Sequence, residues 1–283
     1  MTHLTSTQFS VLPADAVSLP EFGETPFELA KSWPKKEPLI ALIAGNGESR
    51  WSRWSIIAPA TGRRMTLRSK HDLAEFQTEL DAIKHTSLVP GWIGYLGYEL
   101  GECFEPEVRV TKPKQREWPL ADFIWCDQCL VHDAEDNSWW SVGGFKPPVL
   151  RDEHQELKFG QLVDVDGDAK FGDAVDSTKL YIHEGDIFQA NITRRFSSNV
   201  SGDIRSASLD TLADPGGWFG AWIEFADDDC RSLLSLSPEL FLQFDGVTRT
   251  VISRPMKGTR PITDPPETLM NSDKDAAELH MIV

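Results

Sequence analysis

SPELFLQFDGVTRTVISRPMKGTRP, residues 237–261, decides how the rest of the chain is read. Two runs of alternating side chains flank Asp245-Gly246, a dipeptide suited to hairpin turns, so the spacing predicts two antiparallel strands. Glu239 enters the first strand and Lys257 leaves the second. Eighteen residues separate them in sequence, yet a hairpin brings its ends back together. The lysine lies between Pro255 and Gly258. Pro255 fixes its own φ and removes a backbone donor, while Gly258 permits φ > 0 and close approach of a ligand to the main chain. An amine mounted in this way suits a nucleophile, and a nearby carboxyl suits a general acid. A surface salt bridge is the plainer reading of the same pair, and these residues alone leave both open. Gly258 and Thr259, just beyond the amine, are the candidate substrate-binding positions.

Moving outward, PLIALIA (38–44) and SIIAPA (55–60) are apolar runs of strand length. Leu73, Phe76, Leu80 and Ile83 recur at spacings of three and four, which predicts an amphipathic helix over 72–84. GWIGYLGYELG (91–101) is punctuated by glycines too regular for a plain strand, and close approach of another backbone is expected there. It lacks the lysine and hydroxyl residue of a phosphate loop. Strands are expected at about 121–131 and 138–143, then a polar excursion over 146–170. Phe171, Val175, Thr178 and Ile182 share a helix face that Gly185 terminates. DIFQANITRRF (186–196) alternates with period two and reads as a strand, as do WFGAWIEF (218–225) and RSLLSLS (231–237). Ser272 to Asp275 is close to a capping box, so a final helix starts there, with Glu278 and Ile282 one turn apart on one face. A carboxylate among apolar neighbours points to a metal ion as its partner.

The composition bounds the function. The chain has 283 residues, 40% of them hydrophobic, and ten tryptophans, enough for a sizeable core. Its net charge of −16 disfavours a nucleic-acid partner, and the densest basic stretch, TKPKQR (111–116), is short and interrupted by proline. No apolar run is long enough to span a bilayer, and the first residues lack a secretory pattern, so no membrane association and a cytoplasmic location are expected. Four cysteines do not make a disulfide framework. Cys126 and Cys129 form a CxxC with His132 nearby, but no second pair completes a zinc set. On one continuous strand, those two thiols would point to opposite faces.

Five segments carry a resemblance: GWIGYLGYELG, YIHEGDIFQANITRRF, SLSPELF, RPMKGTRP and AAELHMIV. In this order, from Gly91 onward, the chain resembles the chorismate-utilising enzymes, and within them component I of the aminodeoxychorismate synthases, with component I of anthranilate synthase as a related enzyme. The resemblance implies an α/β (α+β) fold of antiparallel sheets packed as a sandwich with outer helices, incomplete at the C-terminus. The implied division is an amino-terminal domain, 1–150, and the first part of the chorismate-binding catalytic domain, 165–283. Lys257 matches the lysine that distinguishes aminodeoxychorismate synthases. Glu239 matches the general acid of the Ser-Pro-Glu motif, and Glu278 matches a ligand of Mg²⁺.

The implied reaction converts chorismate and ammonia to 4-amino-4-deoxychorismate, on the route to p-aminobenzoate and folate, through a covalent lysine intermediate. Ammonia is expected from a separate glutaminase subunit, because no cysteine here has a base of its own. Ala44 stands where the family's tryptophan pocket uses a serine, so tryptophan binding is not expected even with Arg53 nearby. The family's catalytic domain continues past Val283, so this chain alone is expected to be catalytically poor. The alternatives are anthranilate synthase component I, which usually has a small residue in place of Lys257, and a non-catalytic remnant that binds a glutaminase.

Overall fold

The computed structural model describes residues 12–44, 52–83, 87–105, 118–150, 156–213, 218–226, 230–246 and 248–282. The expectations for the N-terminal residues, the TKPKQR stretch and Val283 lie outside them. In chain order the elements are β1 (Val17–Ser18), α1 (Pro26–Lys31), β2 (Leu39–Ala44), β3 (Trp54–Pro59), β4 (Arg64–Leu67), α2 (Leu73–Ala82) and β5 (Gly91–Leu96). Next come β6 (Ala121–Cys126), β7 (Cys129–Asp133), β8 (Ser138–Val142), β9 (Lys158–Phe159), β10 (Val163–Asp164) and α3 (Asp168–Glu184). β11 (Phe196–Ser197), β12 (Val200–Ser201), α4 (Ile204–Ala213), β13 (Phe219–Glu224) and β14 (Ser232–Ser237) follow. β15 (Leu240–Asp245), β16 (Thr250–Arg254), α5 (Pro266–Met270) and α6 (Asp273–Ile282) complete the set. By contact the chain divides into one unit of residues 1–152 and 208–283, and a second of 153–207.

In the first unit, period-two alternation builds an antiparallel sandwich. A seven-stranded sheet runs β1-β8-β7-β3-β2-β13-β14, and a three-stranded sheet runs β4-β6-β5. Strand β13, beside the edge strand β14, joins the larger sheet by pairing Phe219 with Ala44 and Ile223 with Ile40 on β2. Ile40, Ile56, Ala58 and Val131 on one face of that sheet share a core with Ile124 and Cys126 of β6. The intervening residues Ala41, Ile57, Leu130 and Trp222 point the other way, onto Leu29, Ala30 and Trp33 near α1 and onto Leu209 and Leu212 of α4. Phe123 turns out of the smaller sheet to stack on Phe76 of α2 at 5.1 Å. Helices thus cover both outer faces. Each fully buried Leu or Ile contributes roughly 1.5–3 kcal/mol relative to exposure, which is what holds strands so distant in sequence together.

The glycines of β5 work as the sequence suggests. A Cβ at Gly94 would lie 1.9 Å from the main-chain oxygen of Asp122, so only glycine lets β6 pair this closely. Residues 91–96 are nonetheless a strand, and the 3₁₀ turn Tyr98–Cys103 follows it. The continuous strand expected over 121–131 is broken. Asp127 and Gln128 turn the chain from the smaller sheet into the larger one. Cys126 and Cys129 therefore enter the same core instead of opposite faces. A hydrogen bond with Cys126, reinforced by burial, pushes the Cys129 thiol up.

The second unit contains α3, closed by Gly185 at φ 84°, together with two short ladders, β10–β11 and β9–β12. The strand expected over 186–196 does not form beyond Phe196–Ser197. Its alternation is real, but a strand needs a partner ladder, and among the described residues 187–194 has none, the last rung being the Val165 N–H donating to the Arg195 carbonyl. Phe188 is 82% exposed as a result. Arg194, not its neighbour, turns inward and pairs with Asp164 and Asp168.

Candidate functional site

The hairpin forms as read, with one refinement. Asp245 pairs with Thr250, so the loop is four residues long instead of two. Asp245 caps it by accepting from the Thr248 N–H at 3.1 Å, and Arg249 takes φ 55°. At the other end Leu240 pairs with Arg254, after an irregularity between Leu240 and Gln243. That register sets Glu239 and Pro255 side by side at the open end. Ser237 holds the entry to this end: its hydroxyl donates to the Glu239 carbonyl at 3.0 Å and accepts the Glu239 N–H at 3.4 Å.

Lys257 and Gly258 are half-buried, whereas Met256 and Thr259 are exposed. Gly258 sits at φ 87°, in the left-handed region. A Cβ there would fall 2.4 Å from Leu269 Cδ1 and 3.1 Å from Asp275 Cγ. The main chain just after the lysine is therefore pressed against α5 and α6. Of the two uses expected of Gly258, the positive φ is present, and the space a Cβ would take is filled by the protein's own helices.

Helix α6 begins as expected. The Ser272 hydroxyl accepts the Asp275 N–H at 3.3 Å, and the Ser272 carbonyl accepts the Ala276 N–H at 3.0 Å. Glu278 follows Asp275 by three residues and is half-buried. Its carboxylate lies 3.9 Å from the Lys274 ammonium, across one turn of an exposed helix face, a weak interaction. Asp275 is held far more firmly. A hydrogen bond with Ser272, and after it the Arg260 charge, keeps its carboxyl below the usual carboxylate range.

Among the described residues no ion pair or hydrogen bond joins the side chains of Lys257, Glu239 and Glu278. The salt bridge that was the plainer reading of Glu239 and Lys257 is absent. The hairpin brings these two residues to one end, and the turn brings the segment of Lys257 onto the helix of Glu278. Sequence reasoning missed Arg260 and Asp275, which make that second connection. The Ser272-to-Asp275 cap was visible in the sequence, but a partner fifteen residues upstream was not.

Among the described residues no group of three or more His, Cys, Asp or Glu side chains is placed to hold a metal ion. Glu278 offers a single carboxylate without a strong partner. One carboxylate fits Mg²⁺, which keeps several waters and is commonly bound through one or two carboxylates plus oxygens of the substrate. At the position expected for a tryptophan pocket, the Ala44 N–H donates to Ser55 Oγ at 3.0 Å. Arg53 there is committed to Asp133 at 2.6 Å and lies 4.8 Å from the Trp54 ring centre. Residues 45–51, which would complete the comparison, lie outside the described residues.

The sequence pattern of the chorismate binding enzymes matches residues 43–283, and the chain belongs to that family. It is 36% identical over 209 residues to aminodeoxychorismate synthase component 1 of Escherichia coli, an alignment covering 68% of this chain and 45% of that protein. Against the protein of the same name from Salmonella typhimurium it is 26% identical over 252 residues, 79% of this chain and 53% of the other. Anthranilate synthase component I from Streptococcus pneumoniae has the same fold, with a TM-score of 0.58 over 83% of this chain and 60% of that one, at 17% identity. The chain thus spans about half the length of the first two relatives. Among the described residues no helix is long and apolar enough to cross a membrane.

Proposed function

We propose that this chain carries the lysine-bearing part of an aminodeoxychorismate synthase component I, which aminates chorismate to 4-amino-4-deoxychorismate. The observation that carries the reading is Lys257 itself. It is an amine on a proline-glycine turn, half-buried and free of any carboxylate among the described residues, at the hairpin end that also holds Glu239. A lysine held as its ammonium by a carboxylate would be a poor nucleophile, and among the described residues none pairs with this one. The two relatives of that name support the choice.

The residues have separate roles. Glu239, as a carboxylic acid, gives its proton to the departing ring hydroxyl, which leaves as water. The Lys257 amine forms the new C–N bond and sheds a proton to the Glu239 carboxylate. Ammonia then replaces the lysine nitrogen, and the enzyme amine is regenerated. Gly258 and Thr259 contribute the main chain beside the ring. Mg²⁺, bound through Glu278, would offset the charge of a substrate carboxylate. A separate glutaminase subunit is the proposed ammonia source, and the route is the one to p-aminobenzoate and folate. A reducing, cytoplasmic setting is supported by four free cysteines.

The test is to supply chorismate, Mg²⁺ and ammonium, and to identify the accumulated product by liquid chromatography and mass spectrometry. 4-Amino-4-deoxychorismate is expected. Anthranilate as the product would overturn the reading in favour of the other branch of the family.

A further inference from the structure

Arg260 lies three residues beyond Lys257 and makes contacts that the proposed chemistry does not use. Its Nη1 donates to the Thr259 carbonyl at 2.8 Å. Its Nη2 donates to Ser272 Oγ at 3.1 Å and to Asp275 Oδ2 at 2.7 Å. One guanidinium therefore joins the main chain of the lysine turn to the first turn of α6. The side chains are 32% and 12% exposed for Arg260 and Asp275, so the tie is partly shielded from water. Planarity matters here, since the guanidinium holds its donors in a fork of fixed geometry, whereas a lysine ammonium is a compact charge on a flexible stem. Gly258 adds a second constraint, because its missing Cβ leaves room for Leu269 and Asp275 against the turn.

We propose that Arg260 is a positioning residue, a strut that fixes the Lys257 turn against the Glu278-bearing helix through Asp275 and Ser272. The inference rests on the proposed function for its catalytic consequence, though not for the strut itself. Asp275 lies one helical turn before Glu278, so a shift of the turn relative to α6 changes the spacing between the amine and that carboxylate. Displacements near 1 Å, even when caused by residues outside the chemistry, can cost about a hundredfold in rate. Loss of Arg260 removes its hydrogen bonds to the Thr259 carbonyl and to α6 and leaves the packing at Gly258 as the remaining constraint.

The experiment has two arms, both on the 283-residue protein. In the first, without substrate, the acetylation rate of Lys257 by trace acetic anhydride is read by peptide mass spectrometry in the native protein, Arg260→Ala, Asp275→Ala, the double variant and Arg260→Lys. Either alanine variant should change the Lys257 rate severalfold, the double variant no more than either single, and Arg260→Lys should fall between. In the second arm the rate of chorismate-dependent mass addition at Lys257 is followed in the same proteins. It should fall about a hundredfold in the alanine variants, with chorismate affinity changed less than threefold. Circular dichroism and melting temperature check that each variant is folded. Additive effects of Arg260→Ala and Asp275→Ala, or unchanged Lys257 acetylation in a folded Arg260→Ala, would overturn the strut. Coupled changes in acetylation with no chorismate adduct in any protein would uphold the strut and overturn the functional reading instead.

Discussion

Gly258→Ala is the perturbation whose cost can be worked most fully from the geometry. Alanine at φ 87° must hold a left-handed backbone, which costs roughly 1–2 kcal/mol. Its methyl would also meet Leu269 Cδ1 at 2.4 Å, more than 1 Å inside ordinary carbon contact, about 3.5 Å. Leu269 is at the surface and its terminal methyl can swing aside, at roughly 0.5–1.5 kcal/mol for a distorted rotamer. Asp275, at 3.1 Å, cannot yield so easily, since Ser272 and Arg260 both hold it. The total is about 2 kcal/mol, or a factor of about thirty in the equilibrium between the seated turn and a displaced one. Urea denaturation should report that loss with an unchanged slope if the turn belongs to the cooperative unit. If the turn opens locally, amide exchange over residues 255–261 should speed up by the same factor. A variant with native stability and native exchange would refute the claim that the lysine turn is seated on α5 and α6 in a glycine-only conformation.

Three further outcomes test the scaffold. Gly94→Ala drives a methyl into the Asp122 carbonyl at 1.9 Å, and main chain cannot step aside, so a loss above about 3 kcal/mol by denaturation, or no soluble protein, is expected. Burial, with the Asp122 charge adding to it, pushes the Tyr95 phenol up to about 12. The unfolded chain sheds that proton first, so stability should fall as pH rises from about 10 towards 12, and Tyr95→Phe should remove this component in denaturation curves. Iodoacetamide should label exposed Cys230 readily, and buried Cys126 and Cys129 only on unfolding, as counted by intact mass.

The parts of the fold legible in the sequence are those set by local rules. Asp245-Gly246 marks the hairpin, Gly185 stops α3, Ser272 starts α6 and the β5 glycines announce a close neighbour, because each is dictated by backbone geometry at its own position. Helix α1 carried an equally local signal that went unread: Thr25 and Glu28 form a capping box around Pro26. The failures are of another kind. The alternation over 186–196 fixes which side chains share a face, but whether a ladder forms depends on a distant partner. The break between β6 and β7 hid in a mostly apolar run, marked by the adjacent polar residues Asp127 and Gln128. At the site, register alone brings Glu239 and Lys257 to one end. The tie from Arg260 to Asp275 could not be read, because no spacing rule links an arginine in a turn to a helix that begins after another helix.

The central claim is that the Lys257 nitrogen bonds to the substrate ring, and peptide mass spectrometry tests it most directly. After incubation with chorismate and Mg²⁺ in the absence of ammonia, the peptide containing Lys257 should carry the mass of chorismate less one water, and added ammonium should remove it. Chorismate that binds measurably while Lys257 stays unmodified, or an adduct carried by another residue, would contradict the account.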